Sequence, residues 1–589
     1  MITRRIYLLT AVCFVALILV LITVRGHAIG LSDLIVTKMQ DRLKTYETAA
    51  PVICRGALPC SSPLLSQFYT KRNFQPCWSN EGTLLPNVEL MITVIRNAKS
   101  HGLQPEDYHL EEIKATIAEL RQDMKRSETV DADKIVNIEF LLSDAFLLYG
   151  SHMLSGRVDP NKIYKTWIAN QRKANLADIL QDAVASDRIK ETLQSLEPQH
   201  EGYKKLSQTL DSYRATAAKG GWPTIPGRNK AHLRKGQRSK LVPLLWTRLM
   251  MSNDLDVTNG DNGDLFDDAM KEAVLNFQRR HGLTADGVVR QETVKALNVP
   301  IEKRIRQIEL NLERWRWLQN DLGKRYILVN VPDYWLKIIN ENRVDMDMRI
   351  IVGKRVRNKK VDMHTPIFTG RMTHLEINPY WNVPYSIATK EFLPELKKDP
   401  LYLSRKNMQL LSGRGAIDPT TVDWTKIHEK NFRYQIRQNP GAFNALSRIK
   451  FLFPNRFDVY LHDTPTRGLF KRTQRAFSHG CMRVEKPIEM ATYLLRDNNG
   501  WSREKILAAI KRGKNLPVYL TEPIDVHVQY WTAWVDSDGT VNFREDLYSY
   551  DPILEKALAE NPATPIYVPD TNNAKPPVMT HKPEPTALR

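Results

Sequence analysis

A cysteine and an upstream histidine are the residues of this chain best suited to covalent chemistry. Residues 477–484 read Phe-Ser-His-Gly-Cys-Met-Arg-Val, and His462 ends a predicted strand 19 residues before Cys481. A thiol becomes a good nucleophile when it is deprotonated, and a nearby imidazole provides the proton acceptor. The pattern predicts Cys481 as a nucleophile and His462 as its base, with the thiol reacting well below the ordinary cysteine pKa of about 8.5.

The neighbours of Cys481 offer the other parts of an acyl-transfer site. Gly480 allows a sharp turn, and the backbone amides of Gly480, Cys481 or nearby residues could form an oxyanion hole. Arg483 lies two residues beyond the thiol, so in an extended segment both side chains point to the same face. Its guanidinium could hold a substrate carboxylate through two parallel hydrogen bonds.

Spacing alone leaves less reactive interpretations open. Cys481 could be a buried structural thiol, and His479 a core histidine with its hydrogen bonds satisfied. Arg483 could form a structural ion pair with Glu485 or Asp463. A Cys/His/His zinc site is a further alternative, although the spacing matches no common zinc-ligand pattern.

The N-terminus predicts export. An unbroken apolar run of 19 residues, from Ile6 to Val24, follows Arg4 and Arg5. About 20 apolar residues span a bilayer, whereas the apolar part of a signal peptide has about 7–15. The positive flank should stay inside the cell. We therefore expect residues 1–30 to be an uncleaved membrane anchor or, alternatively, a cleaved signal sequence.

Composition narrows the possible partners. The 589 residues include 85 Lys and Arg against 66 Asp and Glu, a net charge of +19, with 42% hydrophobic residues. These values exclude a collagen, a wholly disordered chain and a multi-span membrane protein. The positive charge suits a membrane face, an acidic wall polymer or nucleic acid, and export argues against nucleic acid. Among the five cysteines we expect a Cys54–Cys60 disulfide and a reduced Cys77 buried beside Trp78.

Periodicity divides the chain into consecutive units. Apolar residues at helical spacing dominate its first part, and strand-like alternation begins near Arg325. The helix predicted between these parts, residues 301–323, could pack back on the helical first part of the chain. Residues 232–300 would then be an insertion. The predicted units are a membrane anchor or signal sequence (1–30), a helical scaffold (31–230), a three-helix unit (232–300), a linking helix (301–323), a sheet domain (324–550) with an insertion (381–455), and a disordered tail (560–589).

The motif around the thiol resembles that of the L,D-transpeptidase family. The family signature is a His, a spacer of about 14–17 residues, and then Ser/Thr-His-Gly-Cys, and here the spacer has 15 residues. Asp463 replaces a glycine and Arg483 an asparagine that are common in the family. Both replacements look like the large branch, which carries a helical scaffold, a peptidoglycan-binding domain and a capping insertion. Residues 378–384 and 437–446 resemble the same branch.

A second resemblance covers residues 232–300. Residues 277–283 read Phe-Gln-Arg-Arg-His-Gly-Leu and are followed by the turn Asp286-Gly287, a pattern similar to that of the small three-helix peptidoglycan-binding domain. Together the resemblances imply a multidomain α+β fold. It would have a helical N-terminal scaffold, a three-helix peptidoglycan-binding domain and a mixed β-sheet catalytic domain with a helical capping insertion.

The family resemblance implies roles for individual residues. Cys481 would be the nucleophile and His462 its base. A second group would shape the pocket and the oxyanion hole: Gly480, His479 and Ser478. A third group would bind substrate: Arg483, Tyr460, Asn444 and Trp381. The family needs neither a metal nor an organic cofactor.

The implied reaction is the 3–3 cross-linking of peptidoglycan stem peptides. A thioester would form with release of D-Ala, and an amine of a second stem would resolve it. The same nucleophile would serve an L,D-carboxypeptidase, with water as acceptor, or an enzyme that attaches a protein lysine to the wall. A non-catalytic peptidoglycan-binding anchor is the alternative outside enzymes. We expect the protein to work in the periplasm, either anchored to the inner membrane or released from it after cleavage. Other cell-wall synthesis enzymes are candidate partners.

Overall fold

The computed structural model describes residues 30–48, 60–126, 129–226, 232–255, 263–355, 363–413 and 415–560. The predicted anchor, Cys54 and the predicted tail beyond Glu560 lie outside these ranges, so the predictions made for them are not tested. Among the described residues, no helix combines the length and the apolar character needed to cross a membrane.

The first part of the chain is helical, as predicted. Its long central helix begins after Asp131, whose side chain accepts a hydrogen bond from the Asp133 N–H at 2.8 Å. That helix is buried along nearly its whole length, and Cys77, only 2% exposed, packs in the same core as a free thiol. The elements are α1 (Leu31–Thr48), α2 (Ser62–Lys71), β1 (Ser79–Asn80), β2 (Thr83–Leu84), α3 (Asn87–Asn97), α4 (Leu110–Lys125), α5 (Ala132–Ser155), α6 (Pro160–Ile163), α7 (Leu176–Ala185), α8 (Ile189–Leu196) and α9 (Glu201–Ala218).

Three helices around a separate apolar core form the next unit: α10 (Val242–Met251), α11 (Asp268–Arg280) and α12 (Gln291–Leu297). Asp267 caps α11 by accepting the Met270 N–H at 2.8 Å, and Gly282 follows the helix with a positive φ of 63°. The linking helix α13 (Ile301–Arg316) then packs on α9 of the scaffold. The three-helix unit is therefore inserted between two packed helices, as the sequence suggested.

The sheet domain is a nearly continuous mixed barrel. Its strands and those of the insertion are β3 (Arg325–Asn330), β4 (Trp335–Asn340), β5 (Arg343–Gly353), β6 (Phe368–Ile377), β7 (Trp381–Asn382), β8 (Met408–Ser412), β9 (Gly415–Ile417), β10 (Gln435–Gln438), β11 (Ile449–Leu452), β12 (Leu461–His462), β13 (Ala476–Ser478), β14 (Met482–Val484), β15 (Leu516–Gln529), β16 (Ala533–Val535) and β17 (Val541–Phe543). The order in the large sheet is β13-β5-β14-β12-β11-β6-β15-β3-β4, and β4 also pairs with β5. This extra pairing closes the sheet around an apolar core.

The capping insertion differs from the prediction in one respect. It was predicted to be helical, and it does contain the short helices α14 (Tyr385–Ile387), α15 (Leu393–Lys398) and α16 (Tyr402–Arg405). It also contains an antiparallel sheet in the order β7-β10-β8-β9, which covers a core of its own. These strands have only two to five residues, too few for an alternating pattern to be recognised. The helices α17 (Pro487–Leu494) and α18 (Arg503–Lys511) lie between β14 and β15, and α19 (Tyr550–Glu560) follows β17.

Candidate active site

Two adjacent parallel strands bring the predicted nucleophile and base to one face of the sheet. In β12 and β14, Leu461 pairs with Met482 and His462 pairs with Arg483. Leu461 and Met482 are fully buried in the barrel core. Because side chains alternate along a strand, His462 and Arg483 lie on the opposite face, as does Cys481, which precedes Met482.

The His462 ring is held in one orientation. Its Nδ1 lies 2.5 Å from the Asp463 carbonyl oxygen. A carbonyl can only accept, so Nδ1 carries the hydrogen and Nε2 of the neutral ring is left as the proton acceptor. Burial, and secondarily the charge of Arg483, lowers the pKa of His462 to about 3. The imidazole is therefore neutral at physiological pH, with Nε2 unprotonated.

A buried carboxylate lies directly behind the base. Asp463 has no exposed side-chain surface and accepts from Arg448 Nε at 2.7 Å, Arg467 Nη1 at 2.9 Å and the Thr464 N–H at 2.8 Å. Asp463 thus links the residue before β11 to the loop that follows β12, next to His462. Its carboxylate is occupied by these groups and does not contact Arg483.

The Cys481 thiol is partly buried and lies against Tyr460. It is 4.0 Å from the Asp458 carbonyl oxygen, and the backbone and phenol of Tyr460 both act on it. Burial raises the pKa of the thiol to about 11, opposite to the lowered value that the sequence suggested, because these contacts and the charges of Lys450 and Arg483 do not offset desolvation. Within the described ranges, the thiol makes no hydrogen bond to His462.

A tight turn presents the nucleophile. Ser478 is buried and bridges the turn, accepting the Gly480 N–H at 3.2 Å and donating to the Cys481 carbonyl oxygen. Gly480 has a φ of +118°, a conformation that residues with a Cβ rarely adopt. The N–H of Gly480 is thus engaged, whereas no described residue accepts a hydrogen bond from the N–H of Cys481. Of the two backbone N–H groups considered for an oxyanion hole, those of Gly480 and Cys481, only that of Cys481 is unengaged by a described residue.

Arg483 is a cation without a carboxylate partner among the described residues. Its Nη1 donates to Thr466 Oγ1 at 3.1 Å, and its buried Nε has no partner there. Glu485, the other carboxylate considered as a structural partner, binds Arg349 instead, at 3.0 Å from Nε. The guanidinium is free to receive an anionic group on the face that carries the thiol.

The remaining predicted site residues fall into three places. Tyr460 lies beside the thiol and 5.7 Å, between ring centroids, from His462. Trp381 packs at the edge of the capping core, with its ring 6.2 Å from Phe392. Asn444 is 1% exposed, and its amide bonds both within its own loop and to the segment before β7. The partners of that amide are the Pro379 and Asn439 carbonyls and the Leu446 N–H.

His479 points toward the capping insertion rather than toward the thiol. Its Nε2 lies 2.7 Å from Glu391 Oε1. Sequence reasoning missed Glu391, because nothing in a polar segment 88 residues upstream marks one glutamate as a neighbour of the motif. It also missed Thr466 and Lys450, which become neighbours of the motif only when the strands pair.

Comparisons with known proteins agree with this architecture. Residues 63–210 match the family model described as "Scaffold domain", residues 239–297 that described as "Putative peptidoglycan binding domain", and residues 324–519 the "L,D-transpeptidase catalytic domain". A Haemophilus influenzae protein named "Putative L,D-transpeptidase" is 36% identical over 228 residues, which are 38% of this chain and 44% of that relative.

A solved structure is also similar. It is the crystal structure of an L,D-transpeptidase from Xylanimonas cellulosilytica DSM 15894, 14% identical in sequence, matched over 52% of this chain and 100% of that one. The TM-score of this match is 0.17.

Proposed function

We propose that this chain, whose residues 324–519 match the L,D-transpeptidase catalytic domain, forms 3–3 cross-links between peptidoglycan stem peptides. The observation that carries the proposal is the grouping on one face of a thiol, a neutral imidazole, an unengaged backbone N–H and a guanidinium without a carboxylate partner among the described residues. These are the groups that an acyl transfer to sulfur requires. The peptidoglycan-binding domain supports the same substrate.

In the acylation step, Cys481 Sγ attacks the carbonyl carbon of the third residue of a tetrapeptide stem. Its proton passes to His462 Nε2 as the S–C bond forms, and the Cys481 N–H stabilises the oxyanion. The C–N bond to D-Ala then breaks, and the leaving amine takes the proton from His462. An enzyme thioester and free D-Ala result.

In the second step, an amine of another stem attacks the thioester carbonyl. The amine gives a proton to His462, the C–S bond breaks, and the thiolate recovers that proton. Arg483 would hold a stem carboxylate near the reacting bond, because its guanidinium is charged and has no carboxylate partner among the described residues. The insertion would cover the site and favour the amine over water.

Two related reactions use the same acyl-enzyme. Water as acceptor would give an L,D-carboxypeptidase, and a protein lysine would give an attachment enzyme. Mass spectrometry of the products formed by purified protein from tetrapeptide muropeptides distinguishes them. A dimer indicates cross-linking, a tripeptide indicates hydrolysis, and a peptide adduct on an added lysine-bearing protein indicates attachment.

Replacement of the nucleophile tests the proposal. Cys481→Ala should abolish 3–3 dimers, whereas Cys77→Ala, which removes a free thiol from the scaffold core, should retain them. Unchanged cross-linking in Cys481→Ala would contradict the role of this thiol, and the absence of any product with the wild-type protein would instead favour a non-catalytic wall-binding anchor. We also propose that the protein works in the periplasm and is attached to the inner membrane through residues 1–30, where other cell-wall synthesis enzymes could contact it.

A further inference from the structure

The carbonyl of Gly480, immediately before the nucleophile, is fixed from the barrel side. Thr365 is fully buried, and its hydroxyl donates to the Gly480 carbonyl oxygen at 2.8 Å. The same hydroxyl accepts the Gly353 N–H at 2.9 Å. A carbonyl oxygen can only accept and a backbone N–H can only donate, so the hydrogen of the Thr365 hydroxyl points at Gly480.

Tyr548 completes a closed set of hydrogen bonds around Thr365. Its hydroxyl accepts the Thr365 N–H at 3.1 Å and donates to the Gly353 carbonyl at 2.7 Å. Gly353 must be a glycine for this approach, because a Cβ there would lie 2.0 Å from the Met363 carbonyl oxygen. Tyr548 is 4% exposed, and burial raises the pKa of its phenol far above the ordinary range, so it stays a donor.

The peptide geometry carries this constraint to the active site. In a planar trans peptide, the carbonyl and the following N–H point in opposite directions. The bond from Thr365 holds the Gly480 carbonyl toward the barrel, and the Cys481 N–H must therefore point away from it. No described residue accepts a hydrogen bond from that N–H.

We propose that Thr365 and Tyr548 are positioning residues that aim the Cys481 N–H at the oxyanion of the substrate. The proposal rests on the proposed function, in which that N–H stabilises the tetrahedral intermediate. Neither side chain touches the reacting atoms. Tyr548 also lies beyond residue 519, where the match to the catalytic-domain family model ends, so a segment outside the matched domain supports the catalytic turn.

The test separates carbonyl chemistry from simple thiol reactivity. Acylation of Cys481 by a β-lactam passes through an oxyanion, whereas alkylation by iodoacetamide does not. Thr365→Val keeps the shape of the side chain and removes the hydroxyl. It should slow acylation about 10- to 100-fold, since loss of a whole oxyanion donor costs about 100- to 1,000-fold. Alkylation should stay within about twofold of wild type, and Thr365→Ser should restore most of the acylation rate.

Two more variants complete the test. Thr369→Val removes a hydroxyl that contacts His527 instead, and should leave both rates unchanged. Tyr548→Phe tests the same network from another residue and should slow acylation selectively by a smaller factor. Equal acylation rates in wild type and both network variants would overturn the proposal, as would a parallel loss of acylation and alkylation. A failure of the proposed function would appear in a separate measurement, because the Cys481→Ala variant would then still form cross-linked dimers.

Discussion

His479 in the nucleophile turn and Glu391 in the capping insertion form a contact of 2.7 Å between Nε2 and Oε1. The two residues are 88 positions apart, and both are partly exposed. A partly exposed pair contributes at most about 1 kcal/mol. Such an energy is small for folding but sufficient to shift how often the insertion lies over the turn.

Loss of this contact should favour water as acceptor. Glu391→Gln keeps the shape of the side chain and removes its charge, and we expect the ratio of tripeptide to cross-linked dimer to rise about two- to fivefold. The products are measured by mass spectrometry after reaction with tetrapeptide muropeptides. Glu395→Gln is the matched control, because Glu395 pairs with Lys398 within the insertion. An unchanged ratio in Glu391→Gln would show that the contact does not govern access.

Arg483 should matter for the peptide more than for other acylating agents. Lysine keeps the charge but cannot reproduce a planar two-point contact with a carboxylate. We expect Arg483→Lys to lower kcat/KM for tetrapeptide about 10- to 100-fold, the loss of a charged hydrogen-bonded contact. Acylation by a small β-lactam should fall less, and the thermal unfolding midpoint should barely change.

Arg349 provides the control for that prediction. It lies on the adjacent strand β5 but already pairs with Glu485. Arg349→Lys should therefore leave peptide turnover near wild type. If Arg483→Lys instead lowers stability and both activities together, Arg483 has a structural role, and normal cross-linking at normal stability would exclude both roles.

The order of elements could be predicted because each has a local signal. The apolar stripe of α5, the cap and glycine stop of α11, and the alternation in β3 and β4 are all properties of neighbouring residues. The positions of Cys481 and His462 were predictable from the motif. His462 ends β12, and Cys481 directly precedes the adjacent parallel strand β14.

What could not be predicted depends on pairing across long separations. The contact of Thr365 with Gly480 spans 115 residues, and a threonine in a loop carries no sign of its partner. The barrel closes through β4 and β5, and the burial that closure creates raises the pKa of Cys481 rather than lowering it. Burial of this kind depends on tertiary packing, so no local pattern reveals its effect on a pKa.

The pH dependence should show that proton transfer occurs during the chemical step. The pKa of Cys481 is raised to about 11 and that of His462 is lowered to about 3, both chiefly by burial. Between these values the thiol is protonated and the imidazole is neutral. Acylation should therefore be level across the neutral range. Alkylation by iodoacetamide should rise about tenfold per pH unit toward a midpoint near 11, because only the thiolate reacts.

His462→Ala distinguishes a neutral thiol–imidazole pair from a thiolate–imidazolium pair. It should slow acylation about 100- to 10,000-fold, the usual contribution of a general base, and leave the alkylation profile nearly unchanged. Peptide mapping distinguishes Cys481 from Cys77, whose buried thiol also has a raised pKa and should not react in the folded protein. An alkylation midpoint below about 8.5 in wild type, moving upward in His462→Ala, would contradict this prediction and indicate the ionised pair.

Asp463 should act on the base through its backbone and on stability through its carboxylate. Asp463→Asn keeps the carbonyl that orients His462 but removes the charge between Arg448 and Arg467. We expect a loss of about 1–3 kcal/mol in the free energy of unfolding, the usual cost of removing one partner from a buried polar contact. Cross-linking at a temperature where the variant is folded should fall at most about tenfold, far less than in His462→Ala.

Asp423→Asn, which alters an exposed pair with Lys426, should change neither quantity. Urea unfolding and dimer formation measure the two effects, and a loss of activity as large as that of His462→Ala would mean that the carboxylate itself is needed by the base.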